Sequence, residues 1–319
     1  MLIYDLDMSR SFESGEIVIV HDSASSLPVD YSPKGYKGLI EIPFKITAMS
    51  NDGQSKQWID HAFVSDEERA EFVHDLETTK ITTSLPSPGD YKKIYEEIIE
   101  SGITEIAVVP MSGVQSGSMQ SAINAAEILK DQANISVADC KTVSIGQGLL
   151  VTQADIENRN GEFNSAAEVV NRVNELSKGV YVAQGFSNLE HLHRGGRVGK
   201  ATSAIGGVFG VIPIIGEDEE GELKRIEQKR GWKKTREAII NHVAHEVGDR
   251  AVRLAIVYFE SDQVDAFRDG FENDARFVRA VDINGQKYDI LESEQRMVTC
   301  VHSGTRIAGG GALVIPEKS

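Results

Sequence analysis

Ile106-Ala107-Val108-Val109-Pro110-Met111-Ser112-Gly113-Val114-Gln115-Ser116-Gly117-Ser118 passes from an apolar run into a loop rich in serine and glycine. Ala122, Ala125, Ala126 and Leu129 follow at helical spacing. The stretch reads as strand, loop and helix. Serine hydroxyls and backbone N–H groups in such a loop lie where a helix N-terminus can hold a small anion. A second hydroxyl-rich stretch, Thr82-Thr83-Ser84-Leu85-Pro86-Ser87, lies upstream and reads as another loop. Two such loops at one edge of a parallel sheet would form a single site for an oxyanion or a carboxylate.

The same pattern extends outward. Ile17-Val18-Ile19-Val20 is a continuous apolar run ended by His21-Asp22-Ser23, as expected of a strand buried on both faces. Leu39 to Ile46 reads as a second strand, with Pro43 marking an edge or a bulge. Ser65 and Ser87 each open a helix, the second closing at Gly102. Ser136-Val137-Ala138-Asp139 is a short strand, Gly146-Gln147-Gly148 leads into a helix, and another helix spans 165–177. Alternating strands and helices imply a parallel α/β sheet. From about 178–180 the pattern changes. Val211 to Ile215 and Glu222 to Gln228 flank an acidic turn and read as a hairpin. Helix 232–247, strand 252–259, helix 262–274 and two later strands follow, with Val298-Thr299-Cys300-Val301 read as a strand. The expected fold is a parallel α/β N-terminal domain (16–178) and an α+β C-terminal domain (179–319) with a mainly antiparallel sheet. Residues 1–15 read as an N-terminal arm.

Composition narrows the function. The 319 residues are 40% hydrophobic and 26% charged, which is globular. The formal net charge of −16 argues against nucleic acid or an anionic membrane surface as the main partner. The two cysteines, Cys140 and Cys300, form no CxxC pair, so neither a disulfide framework nor a zinc site is expected. The first fifteen residues lack a signal-peptide core, and no apolar run approaches ~20 residues. A cytoplasmic location is expected.

Several motifs carry less than they suggest. His242 and His245 with Glu246 lack the HExxH spacing and read as a solvated helix face, so no metal is expected. Around Gly195-Gly196-Arg197-Val198-Gly199-Lys200-Ala201, a phosphate-loop pattern fails at Arg194 and Ala201. No GxSxG elbow occurs. The chain therefore carries no complete catalytic set for hydrolysis or ATP use. Lys224 to Arg236 holds seven basic residues and one acidic residue. In so acidic a chain this is either a solvated face or a docking patch, with Lys229, Arg230 and Lys233 as its candidates.

Taken together, six fragments resemble the DegV family. They are Asp22-Ser23, Thr83-Ser84-x-Pro86-Ser87, the Ser112–Ser118 loop, Leu189-x-x-Leu192-x-x-Gly195-Gly196-Arg197, Lys229-Arg230 and His302-x-Gly304. They stand in the family's order from about Ile17 to Val314. The resemblance implies a bacterial fatty-acid-binding protein that presents an acyl chain to a fatty acid kinase and needs no cofactor. It places Thr83, Ser84, Ser112, Gly113, Ser116, Arg197 and His302 at the ligand, with the tail 302–314 returning to that site. The departures are Gly113 for the family's second serine, Thr305 for its proline and Arg306 for its next glycine. A long acyl tail gains roughly 0.8 kcal/mol per buried CH₂. Its carboxylate must be hydrogen-bonded to be buried. The expected inter-domain tunnel draws on Ile205, Val208, Phe209, Val211 and Ile212. The alternative is an enzyme acting on a small carboxylic acid or phosphate ester through Ser112, Ser116 and His302.

Overall fold

A computed structural model describes residues 16–28, 31, 38–204 and 210–316. The 1–15 arm and the tunnel candidates Ile205, Val208 and Phe209 lie outside the described residues. In chain order the strands and helices are β1 (Ile17–Asp22), β2 (Leu39–Ile42), β3 (Lys45–Met49), β4 (Ser55–Ile59), α1 (Asp66–Thr78), β5 (Lys80–Ser84), α2 (Pro88–Glu100), β6 (Glu105–Val109), α3 (Ser118–Leu129), β7 (Asn134–Val137), α4 (Ile145–Arg159) and α5 (Ala166–Leu176). Then come β8 (Val180–Phe186), α6 (Glu190–Arg194), β9 (Val211–Glu217), β10 (Leu223–Arg230), α7 (Trp232–Val247), β11 (Ala251–Phe259), α8 (Val264–Glu272), β12 (Val278–Arg279), β13 (Leu291–Glu294), α9 (Met297–Ser303) and β14 (Ile307–Val314).

The parallel sheet runs β2-β1-β6-β7. Its apolar runs are buried on both faces, because successive residues of a strand point to opposite sides. Val18 and Val20 pack with Ile94 and Ile98 of α2, while Ile17 and Ile19 pack with Leu149 and Leu150 of α4. The mixed sheet runs β10-β9-β8-β14-β11-β12, with β13 also on β11. Only the β11–β12 and β11–β13 pairs in it are parallel. Helices α7 and α8 cover one face of this sheet. On the other face, Val182, Ala255 and Leu313 join the same core cluster as α4 and the parallel sheet. Helix α4 is thus shared by both sheets, which explains its near-complete burial. Gly148 permits one close approach there: an added Cβ would lie 2.6 Å from Ser25 O.

Three segments depart from the sequence reading. Leu39–Ile46 is not one strand: the chain breaks at Pro43, β2 staying in the parallel sheet while β3 opens a separate antiparallel sheet, β4-β3-β5. Thr82-Thr83-Ser84 is not loop but the end of β5, with Thr83 opposite Ile46. The two hydroxyl-rich stretches therefore do not share an edge of the parallel sheet. Val298-Thr299-Cys300-Val301 is helix α9, not a strand. Its β-branched residues suggest a strand, and Arg296 at the N-cap position makes no capping bond. The cap comes from far away: the Val298 N–H donates to Asp60 Oδ1 at 3.1 Å. Arg296 instead donates to Leu27 O and Glu41, each at 2.9 Å.

Arg306, where the family carries glycine, sits at φ +58°. A side chain is costly in that region, by roughly 1–2 kcal/mol. Arg306→Gly is expected to raise the melting temperature by a few degrees; an unchanged or lower value would show that the arginine side chain offsets the strain.

Candidate functional site

A cavity, partly open to solvent, lies over the face of the mixed sheet near α9. Its floor follows from strand alternation: Val182, Gln184 and Phe186 of β8, Ile215 and Glu217 of β9, and Leu223 of β10 all line it. Ala24, Phe44, Met111, Val143, Leu192 and Val298 supply further apolar wall. Of the remaining tunnel candidates, neither Val211 nor Ile212 is among the lining residues; Ile215 takes that place.

Thr83 and His302 meet at this wall, Thr83 Oγ1 to His302 Nε2 at 3.0 Å. Strand β5 turns Thr83 inward and leaves Thr82 and Ser84 exposed. Helix α9 carries His302 in its last turn. Burial, then the nearby charges of Arg197 and His191, push the His302 pKa down to about 4. The ring is therefore neutral at pH 7. With its proton on Nε2, His302 donates to Thr83, leaving the threonine's own proton for a ligand oxygen. His302 Nδ1 is buried without a hydrogen-bond partner. Gly195, at the end of α6, packs directly on it.

Arg197 is exposed, lines the cavity and makes no ion pair among the described residues. Its guanidinium donates to Gly195 O at 2.5 Å. Ser116 lines the cavity as well, its hydroxyl accepting from Ser118 N–H at 3.2 Å. Ser84, Ser112 and Gly113 are not among the lining residues. Ser112 is fully buried and donates to Gly221 O at 3.2 Å. Gln115 donates to the same oxygen at 2.9 Å, so the serine loop clasps the β9–β10 turn. Gly221 has φ +82°, and a Cβ there would lie 2.5 Å from Ser112 Oγ, so the clasp needs glycine. Lys229 and Arg230 lie at the far end of β10, and Lys233 lies in the first turn of α7; none lines the cavity. Lys229 is paired with Glu227, while Arg230 and Lys233 are exposed.

Three carboxyl groups around the site carry raised pKa values, each chiefly through burial. Asp22, pushed up to about 6, accepts from Met111 N–H at 3.1 Å, Ser118 Oγ at 2.7 Å and Gln147 Nε2 at 2.9 Å, and so fixes the serine loop. Asp60, pushed up to about 7, accepts from Ser23 Oγ at 2.5 Å as well as from α9. Glu217, pushed up to about 7, accepts from Thr142 Oγ1 at 3.0 Å and Val143 N–H at 3.1 Å. Sequence reasoning missed Glu217, Gln184 and Gln295 as cavity residues. Glu217 was hidden in an acidic turn, and only its alternation with Ile215 signalled an inward side chain.

Asp60 gives a stability prediction with a definite sign. Its folded pKa of about 7 exceeds the ordinary 3.8, so the folded state binds more protons between those values. Its contribution therefore declines as pH rises from ~4 to ~7. In Asp60→Asn the decline is absent. The melting temperature of the variant minus that of the wild type should become more positive between pH 5 and pH 8; a constant difference would contradict the assignment.

A largely apolar cavity ended by a hydroxyl and an imidazole thus lies on the mixed sheet of an α/β protein. The chain belongs to the DegV family, whose family model, described as an uncharacterised protein of that family, matches residues 16–313. A DegV domain-containing protein of Caldanaerobacter subterraneus subsp. tengcongensis is 33% identical over 251 residues, 78% of this chain and 84% of that one. A DegV-family protein from Thermus thermophilus, described as fatty acid binding, superposes with a TM-score of 0.78 at 26% identity, covering 94% of this chain and 100% of that one. DegV from Bacillus subtilis, also described as a fatty acid binding protein, gives a TM-score of 0.74 at 21% identity over 95% and 100%; that likeness shows the fold. In this chain no described helix is long and apolar enough to cross a membrane. Among the described residues no group of three or more His, Cys, Asp or Glu could hold a metal ion.

Proposed function

We propose that this chain holds one long-chain fatty acid in the cavity, with its carboxylate at Thr83 and His302, and presents that carboxylate to a partner kinase for acyl-phosphate formation. The carrying observation is the Thr83–His302 pair on the wall of an apolar-lined cavity. It supplies hydrogen bonds for the one group of a fatty acid that is costly to bury. Some fifteen methylenes contribute roughly 12 kcal/mol gross on burial, before ordering costs. Arg197 adds positive charge to the carboxylate site, and Ser116 adds a hydroxyl to the cavity wall. The chain itself contributes binding and orientation, and the kinase brings the phosphoryl donor. Titration of the delipidated protein with palmitate or oleate tests the binding step: saturable one-to-one binding is expected, and no binding would refute it.

The basic end of β10 and the start of α7 are the proposed kinase-docking face. Lys229→Glu with Arg230→Glu should lower acyl-phosphate formation at least several-fold and flatten its salt dependence. Fatty-acid affinity should stay within twofold. A parallel fall in affinity would place these residues in the pocket or in folding, and no change in either readout would refute the docking face.

A further inference from the structure

The cavity floor carries a polar pair that an unsubstituted acyl chain does not use. Gln184 stands opposite Ile215, and Ala183 opposite Gly216. Glu217 is two residues beyond Ile215 on the same face, diagonal to Gln184. Such diagonal neighbours lie ~7–8 Å apart, within reach of one group seated between them. Around them the floor is aliphatic: Val182 is the next inward residue of β8, and Leu223 stands directly opposite Glu217 on β10.

Neither side chain is fully satisfied by the protein. Thr142, Val143 and Gln115 bring three donors to Glu217, while a carboxylate accepts about four. Gln184 is 8% exposed and lines the cavity, and its side chain makes no hydrogen bond among the described residues. A plain methylene chain laid over them would remove water from both and return nothing. A hydroxyl between them donates to Glu217 and accepts from the Gln184 amide.

The position along the floor separates this pair from the carboxylate site. Phe186 pairs with Ile307, and Ser187 N–H donates to Arg306 O, just past His302. From Phe186 to Val182 the strand runs four residues, about 13 Å. Glu217 therefore meets the body of an acyl chain whose carboxylate lies at His302.

We infer that the ligand this cavity prefers is a fatty acid with a hydroxyl group partway along its chain, read by Glu217 and Gln184. The inference rests on the fatty-acid reading above. It is tested by competition against a fluorescent fatty acid, using stearate and a series of monohydroxystearates that differ in hydroxyl position. The wild type should bind the best hydroxystearate about tenfold more tightly than stearate. Glu217→Leu should abolish or reverse that preference, and Gln184→Leu should narrow it, with thermal melts reporting folding. Should Glu217→Leu fail to fold, the wild-type series and Gln184→Leu decide. Stearate binding as tightly as every hydroxystearate, or a preference that survives both substitutions, would overturn the inference while leaving the fatty-acid reading intact. Absence of binding by every acid would overturn both.

Discussion

Thr83→Ala is expected to weaken fatty-acid binding by roughly tenfold to a hundredfold, because a hydrogen bond to a charged group contributes ~1.5–3 kcal/mol. The threonine is the inward residue of β5, and its hydroxyl pairs with His302 at 3.0 Å. Removing it takes away one donor and leaves His302 Nε2 without its partner. The fold should change little, since Thr83 is only half-buried and its backbone pairing with Ile46 persists. Fluorescence titration alongside a thermal melt separates the two effects. Unchanged affinity would show that the carboxylate lies elsewhere.

Gly195→Ala should be comparably damaging, and for a purely steric reason. Gly195 has φ −76° and ψ −8°, a conformation alanine adopts without strain. Its added methyl would nevertheless overlap His302 Nδ1 and lie 3.2 Å from His191 O. His302 must then shift away from Thr83, and affinity should fall to about the level of His302→Ala. The decisive result is the double variant: with the imidazole gone, the methyl has room, so Gly195→Ala should cost almost nothing in a His302→Ala background. Additive losses would show that Gly195 acts through the backbone of α6 instead.

The sequence disclosed the fold wherever local chemistry and tertiary structure agreed. Ile17-Val18-Ile19-Val20 is apolar on both faces and is a central strand of a covered parallel sheet. Trp232 to Val247 is helical in pattern and in structure. The failures came where a distant residue decided. Val298 to Val301 looks like a strand because its helix cap, Asp60, is remote in sequence. Thr82 to Ser84 looks like a turn because hydroxyls dominate it, yet β3 pairs with it. The site was legible only in part. Thr83, Ser116, Arg197 and His302 line one cavity, whereas Ser112 is spent on the clasp with Gly221. Glu217 and Gln184 had no local signal beyond their place in an alternating strand.

The central claim is that this cavity holds a long-chain fatty acid, and the most direct measurement is mass spectrometry of an organic extract of the purified protein. The account predicts fatty acids at close to one per chain, and their loss from the Thr83→Ala and His302→Ala variants. An extract free of fatty acid, from a protein that also fails to take up palmitate or oleate, would contradict it.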